Sequence, residues 1–181
     1  MNDQEKARRK RQRMLDKARE YTTGTYSRKV ATVFQRMIRA EVGARHAGVT
    51  PAIVDGQLTM VFRKVGECVC VTCGKVGPWS SGLGGMHTGH FLPSRRNSIL
   101  FEEANVAPQC SRCNRYESGA QQPFTNWMLS TRGGEAVERL KRLKHTTRQF
   151  TINELVDMRI EYKARLDTAI ARMSQPQERD T

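Results

Sequence analysis

Two short cysteine motifs decide how this chain folds: Cys70-Val71-Thr72-Cys73 and Cys110-Ser111-Arg112-Cys113. Two residues separate the cysteines in each motif, and Gly74 follows the first motif where a tight turn favours positive φ. This spacing is typical of a tetrahedral zinc site in which each turn supplies two thiolates. We therefore predict a structural Zn²⁺ site with four cysteine ligands. The fifth cysteine, Cys68, lacks a partner at this spacing, and we expect it to be a bystander.

The composition restricts the setting of this zinc site. With 181 residues, the chain has room for one domain, or for a small domain with helical extensions. Lys and Arg outnumber Asp and Glu by 31 to 18, and the resulting net charge of +13 favours polyanionic partners through counterion release. No apolar run could span a membrane and no secretory signal is recognisable, so we expect a soluble, intracellular protein that binds nucleic acid.

Changes in composition divide the chain into five segments. The first is strongly basic and has no apolar stripe, so it is expected to be a flexible arm or a solvated helix. The zinc motifs lie in the third segment, and helical patterns dominate on both sides of it. The predicted segments are a basic arm over 1–26, a helical lead-in over 27–66, the zinc-stabilised core over 67–121, C-terminal helices over 122–173 and a disordered tail over 174–181.

Apolar periodicity and turn residues predict the elements within these segments. The Thr151–Glu154 pattern is a capping box that starts a long helix ending near Met173. Gly133 and Gly134 separate two shorter helices. The remaining predictions are a helix over 27–45, a break over 48–56, a short helix over 58–65, and strands over 86–92 and 99–101.

Polar residues between and after the two motifs suit the hydrolysis of a phosphodiester bond. His90 follows Gly89, and a neutral imidazole can accept a proton from water at physiological pH. His87 and Asn114 offer one nitrogen and one oxygen to a divalent metal ion. A lone histidine is more often structural, and surface arginines are often merely solvated, so both alternatives stay open. The arginines expected to contact DNA phosphates are Arg95, Arg96 and Arg115.

At these residues the sequence resembles the His-Me finger (HNH) nucleases, whose order is a histidine base, a loop asparagine and a metal ligand at a helix start. His90, Asn105 and Asn114 stand in that order. The resemblance implies an α+β fold with a small ββα-metal core, stabilised by the zinc site and flanked by helices. It also implies that His90 is the catalytic base, that Asn105 braces the loop orienting His90, and that Asn114 and His87 hold a catalytic Mg²⁺ or Mn²⁺.

A closer resemblance, covering roughly residues 68–166, is to the phage NinG (Rap) recombination nucleases. That resemblance implies a phage-encoded protein in the bacterial cytoplasm that cuts Holliday junctions and D-loops with Mg²⁺ or Mn²⁺. The sequence departs from the family pattern in having His87 at a metal-binding aspartate, Ala107 at a common histidine, and a basic arm in place of an N-terminal cysteine cluster. The matching residues are Cys70, Cys73, His87, Gly89, His90, Asn105, Gln109, Cys110, Cys113, Asn114, Ser118 and Gly119.

Three functional hypotheses follow from this sequence. The first is a metal-dependent endonuclease that selects branched DNA and leaves 5′-phosphate and 3′-hydroxyl ends. The second is a non-catalytic, zinc-stabilised adaptor that binds branched or single-stranded nucleic acid. The third is an HNH endonuclease with sequence specificity. DNA is the expected partner in each case, while a homodimer and further recombination proteins are left open.

Overall fold

In the part of the chain that the structure describes, five α-helices and three two-stranded antiparallel sheets form a mixed α+β architecture. The computed structural model describes residues 2–93 and 97–175. Arg95, Arg96 and residues 176–181 of the predicted tail lie outside the described residues. The elements are α1 Asp3–Ala18, α2 Thr23–Gly43, β1 Gly48–Val54, β2 Gln57–Arg63, β3 Glu67–Val69, β4 Val76–Pro78, β5 Met86–His90, α3 Asn97–Leu100, β6 Val106–Cys110, α4 Gln121–Lys144 and α5 Ile152–Met173.

Helices α2 and α5 pack against each other and enclose the larger apolar core. The rings of Phe34 in α2 and Tyr162 in α5 lie 5.2 Å apart, and both side chains are buried. The predicted capping box is confirmed, because the Thr151 side chain accepts from the Glu154 backbone while the Glu154 side chain accepts from the Thr151 backbone. Arg165 of α5 binds Glu41 of α2 and Glu103, which fixes this helical pair to the segment before β6.

The basic N-terminal segment is helical from Asp3 to Ala18, so of the two alternatives the chain adopts the helix. Two apolar side chains, Leu15 and Ala18, are buried against the α2–α5 core. Arg11 also donates two hydrogen bonds to Asp157 of α5, at 2.6 and 2.9 Å. The sequence did not indicate this docking because only one short apolar patch interrupts the charged residues.

Residues 48–63 form a hairpin, and the predictions of a break over 48–56 and a helix over 58–65 are wrong. The turn is Asp55-Gly56, where both residues have positive φ, 48° and 81°. An Asp-Gly pair between apolar alternating runs is a strong hairpin signal, and it was overlooked. One face of β2 presents Leu58, Met60 and Phe62 to solvent.

The central hairpin pairs β5 with β6, so the strand predicted over 86–92 is confirmed over Met86–His90 and ends two residues earlier than predicted. The strand predicted over 99–101 is wrong, since Asn97–Leu100 is a short helix whose Ile99 is fully buried. A three-residue apolar run cannot distinguish a strand from one buried helical turn. Cys110 ends β6, and a single π-helical turn, Arg112–Tyr116, follows it.

Helix α4 covers the other side of the central hairpin. Gly133 interrupts it with a non-helical conformation (φ 80°, ψ 164°), at the point where the sequence predicted a separation. Phe124 and Leu140 of α4 are fully buried and join Phe91 and Ala107 in a second apolar core. None of the helices within residues 2–93 and 97–175 has the length and apolar character needed to cross a membrane.

Candidate functional site

The four motif cysteines converge on one point between the two turns. Their Sγ atoms all lie within 4.8 Å of one another, and the Sγ atoms of Cys73 and Cys110 are 3.8 Å apart. Tetrahedral zinc with Zn–S bonds of about 2.3 Å places its sulfur ligands about 3.8 Å apart. The cysteine cluster could therefore hold a structural metal ion such as zinc.

Local backbone geometry explains why the first turn presents its thiols together. The Cys70 carbonyl accepts hydrogen bonds from the backbone N–H groups of Cys73 and Gly74, which closes the turn. Gly74 has φ 74°, and a Cβ atom there would lie 2.5 Å from Cγ2 of Val54. Glycine is thus required both by the backbone conformation and by the approach of β1.

Burial disfavours the thiolate form of Cys73 and Cys113 unless a cation is present, whereas hydrogen bonds with neighbouring groups outweigh burial at Cys110 and lower its pKa. Desolvation raises the pKa of Cys73 to about 11, and it raises the pKa of Cys113 as well. A divalent metal ion reverses this preference, because coordination replaces the thiol protons. Cys68 lies outside the cluster: its thiol is fully buried, donates to the Arg39 carbonyl, and has a pKa raised to about 12 by burial.

His90 is the last residue of β5 and pairs with Val106. Its Nε2 atom is buried and, among the described residues, has no hydrogen-bond partner. Burial lowers the pKa of His90, and a hydrogen bond with the backbone of Leu100 opposes this effect in part. The imidazole is therefore favoured in its neutral form, which can accept a proton at Nε2.

Asn105 fixes the chain immediately after His90. Its side chain is fully buried, accepts from the Leu92 N–H at 2.9 Å, and donates to the Leu92 carbonyl at 3.0 Å. The Asn105 backbone carbonyl accepts from the N–H of Phe91. These three bonds give Asn105 the contacts that a bracing residue needs, while a part in catalysis stays a prediction.

Gln109 links the central hairpin to both cysteine turns, a position to which sequence analysis assigned no role. Its buried amide donates to Thr72 Oγ1 in the first turn and to the carbonyl of Gly119 beyond the second. A Cβ atom on Gly89 would lie 2.0 Å from Gln109 Oε1, so any larger residue at this position would force the Gln109 side chain to move. In the sequence, the glycine directly before His90 was the feature that could have indicated the close approach of another side chain.

His87 and His90 do not point to the same side of β5. Successive side chains of a strand alternate between faces, and these two residues are three positions apart. His87 pairs with Gln109, whereas His90 shares its face with Thr88, which is bonded to α2 through Gln35 and Arg39. A metal ion bound to His87 would thus lie on the face opposite to the proposed base.

The residues predicted to hold a catalytic ion offer few ligands. Asn114 is half-buried in the π-helical turn, and Arg115 beside it is exposed. Burial and then the charges of Arg115 and Arg39 lower the pKa of His87. His87 and Asn114 include no carboxylate, the ligand that protein-bound Mg²⁺ usually takes, so this pair does not fit Mg²⁺. Over residues 2–93 and 97–175, the cysteine cluster is the one group of three or more His, Cys, Asp or Glu side chains placed to hold a metal ion.

Arg39 is a buried residue near the hairpin that sequence analysis missed. Its guanidinium is 5% exposed and donates to the Trp79 carbonyl and to Thr88 Oγ1, which connects α2 with β5 and with the loop after β4. Burial lowers the pKa of this arginine. Nothing in the sequence of the amphipathic helix distinguished Arg39 from the solvated arginines around it.

Comparisons with known proteins agree with the cysteine and histidine pattern. The sequence profile of the family described as Bacteriophage Lambda NinG protein matches residues 2–171. Protein ninG of Escherichia phage lambda is 30% identical over 97 residues, which are 54% of this chain and 45% of that relative. The match thus spans less than half of the relative's length. No solved structure matches the chain.

Proposed function

We propose, from the premise that the chain belongs to the bacteriophage lambda NinG protein family, that it is a metal-dependent endonuclease acting on branched DNA. The observation that carries the proposal is the placement of His90: its Nε2 is buried and has no hydrogen-bond partner in the part of the chain that the structure describes, and burial lowers its pKa, which favours the neutral imidazole. Asn105 supports it by fixing the two residues after His90. The antiparallel β5–β6 hairpin and the helical turn after it also support the proposal, because they resemble the hairpin and helix of the HNH nucleases.

In the proposed reaction His90 acts as a general base. Nε2 takes a proton from water, the water oxygen bonds to phosphorus, and the bond from phosphorus to the 3′ oxygen breaks. The departing oxygen takes a proton from solvent, which leaves a 3′-hydroxyl end and a 5′-phosphate end. A divalent ion would stabilise negative charge on the phosphate; because the His87–Asn114 pair does not fit Mg²⁺, the ion proposed for this role is Mn²⁺.

Access to Nε2 must change when DNA binds, because this atom has no contact with solvent in the free protein. A base must come within hydrogen-bonding distance of the water it activates. The proposed reaction thus requires the groups that cover Nε2 to shift on binding. Exclusion of bulk water in the free protein is consistent with a histidine kept neutral until substrate arrives.

The charge of the chain supports DNA as the substrate. A net charge of +13 favours a phosphate backbone regardless of base sequence. Selection of Holliday junctions and D-loops, as in phage recombination, extends the proposal from the family resemblance. Symmetric resolution of a junction would require two active sites and therefore two copies of the chain.

Cleavage assays with matched variants test the proposal. Wild-type protein, His90→Ala and the exposed-histidine control His145→Ala are incubated with a four-way junction, a D-loop and linear duplex, with Mn²⁺, Mg²⁺ or neither. We expect His90→Ala to lower the cleavage rate at least about 100-fold, the usual contribution of a general base. His145→Ala should cleave like wild type, and both variants should retain zinc. If His90→Ala cleaves DNA at the wild-type rate, His90 is not the general base.

A second candidate function is a non-catalytic adaptor that holds branched or single-stranded DNA. His87 and His90 project from opposite faces of β5, and the pair predicted to bind the metal ion, His87 and Asn114, contains no carboxylate. Both facts favour this candidate. The same assay separates the two functions, since an adaptor binds the junction without cutting it under any metal condition. Cuts at fixed sequences in linear duplex would instead indicate the sequence-specific endonuclease.

A further inference from the structure

A basic groove of about 600 Å³ lies between α1, α2 and α5. Seven of its ten lining residues are Lys or Arg, and none is Asp or Glu. The cysteine cluster and His90 contribute nothing to its walls. The groove is therefore a separate surface whose charge suits an anionic ligand.

Helix periodicity explains why one wall of the groove is basic. Lys10, Arg13 and Lys17 follow each other at steps of three and four residues, which places them along one face of α1. Lys29 of α2 and Arg159 of α5 line the groove from the other helices. The docking of α1 through its two buried apolar residues thus converts a charged segment into one side of a binding surface.

Most of these cations are not neutralised by the protein. The groove residues Lys6 and Arg9 pair with Asp3 and Glu5 on the same helix. Within the two described ranges, no carboxylate lies at ion-pair distance from the other five, which are Lys10, Arg13, Lys17, Lys29 and Arg159. Five uncompensated cations around one groove strongly favour a ligand with several negative charges.

Two tyrosines add aromatic surface to the groove. Tyr21 is half-buried, and the Lys29 Nζ atom lies 4.0 Å from the centroid of its ring. Tyr26 is buried, and its hydroxyl accepts from Arg159 at 3.5 Å. Cations beside a partly exposed aromatic ring are a combination found in sites for single-stranded nucleic acids, where phosphates and unstacked bases are bound together. Because Lys29 covers one face of the Tyr21 ring, a base stacks on that face only when the Lys29 ammonium moves to a phosphate.

We infer that this groove binds a single-stranded segment of DNA, with phosphates on the α1 cations and a base against Tyr21. The volume is that of a site for one drug-sized molecule, which is the scale of one or two nucleotides. A paired duplex has its bases stacked inside and cannot present one to Tyr21. This binding does not depend on the nuclease chemistry proposed for His90.

Fluorescence anisotropy with the 181-residue chain tests the charge contacts. The probes are a labelled oligothymidylate and a duplex of equal length, without added Mg²⁺ or Mn²⁺ so that no cleavage occurs. The variant Lys10→Gln/Arg13→Gln is compared with Arg8→Gln/Arg142→Gln, which removes the same charge outside the groove. The measured quantity is the slope of the logarithm of the binding constant against the logarithm of the salt concentration. For single-strand binding this slope should become less steep by about 1.4 in the groove variant, because two phosphate contacts are lost, and it should change much less in the control.

Substitutions at Tyr21 test the aromatic contact. Tyr21→Leu should weaken oligothymidylate binding at least about fivefold, while Tyr21→Phe should retain the affinity because the stacking ring remains. Duplex affinity should change little with either variant. Thermal melting establishes that each variant is folded before its affinity is compared.

Two results would overturn the inference. One is an equal loss of single-strand affinity in the groove variant and its charge-matched control. The other is unchanged single-strand binding in Tyr21→Leu together with equal binding of duplex and single strand by the wild type. His90→Ala should bind oligothymidylate like the wild type, so a failure of the nuclease proposal and a failure of this one give different results.

Discussion

The hairpin region and the helical region of this protein are held together by different means. The hairpin region (67–93 and 97–120) contains the cysteine cluster, β3 to β6 and a few buried polar side chains with specific partners. The helical region (α1, α2 and α5) has a broad apolar core and many exposed charges. A region that depends on a few specific contacts should lose much of its stability when one contact is removed. A region that depends on buried apolar area and net charge should lose only a little stability with each substitution.

Loss of a cysteine ligand should have the largest effect and should be confined to the hairpin region. In Cys113→Ser we expect the metal content, measured by mass spectrometry, to fall well below one per chain, because the cluster loses one of four ligands. Structural zinc contributes folding energy directly, on the order of 10 kcal/mol in isolated zinc-finger peptides.

The control for this prediction is Cys68→Ala, since Cys68 is equally buried but lies outside the cluster. It should retain the metal. Hydrogen exchange should show lost protection over β5 and β6 in Cys113→Ser, with protection kept in α2 and α5. Retention of a full metal complement by Cys113→Ser would contradict the four-cysteine site.

The contact between Gly89 and Gln109 should give the next largest effect. A methyl group on Gly89 would lie 2.0 Å from Gln109 Oε1 and would displace the bonds to Thr72 and Gly119. We expect Gly89→Ala to lower the free energy of unfolding by about 2–4 kcal/mol, measured by urea denaturation.

Three further variants isolate the cause of that effect. Gly24→Ala in α2 is the matched control, because its added methyl would meet nothing within 4 Å. It should be neutral or slightly stabilising, as alanine is the better helix former. Adding Gly89→Ala to Gln109→Ala should cost little more than Gln109→Ala alone. Independent, additive effects of the two substitutions would disprove the contact.

The pH dependence of stability should report the buried state of His90. Burial lowers the pKa of His90 in the folded protein, so the unfolded chain binds more protons below its ordinary pKa near 6.5. The contribution that neutral His90 makes to the free energy of unfolding is therefore complete above that pH and is lost as the pH falls. From about pH 7.5 to about pH 5.5, the wild type should therefore lose more stability than His90→Gln. Identical pH profiles for the two proteins would mean that His90 titrates equally in both states.

The same contrast between the regions explains which parts of the structure could be predicted from the sequence. The cysteine spacing, the Gly74 turn and the Thr151 capping box are local patterns, and the structure confirms them. The helix over 58–65 was wrong because apolar spacing was given more weight than the Asp55-Gly56 turn. Local patterns determine turns and caps directly, but they do not determine which distant elements they meet.

Long-range placement was the part that the sequence could not supply. The approach of Gln109 to Gly89 and the burial of Arg39 depend on neighbours from separate elements. The orientation of His87 relative to His90 became clear only when β5 was known to be regular over both residues. The basic groove likewise depends on the docking of α1 on α5, which the single apolar patch of α1 did not indicate.

The smallest effect is expected for the ion pair that joins α1 to α5. Arg11 and Asp157 form a two-bond pair, but their side chains are 41% and 52% exposed, so solvent screens the attraction. Arg11→Ala should lower the free energy of unfolding only slightly, as is usual for exposed ion pairs. Leu15→Ala on the same helix should cost about 2–3 kcal/mol, because Leu15 is buried in the apolar core. Equal losses in urea denaturation would show that a specific contact, and not buried area, holds α1 in place, and the contrast between the two regions would no longer stand.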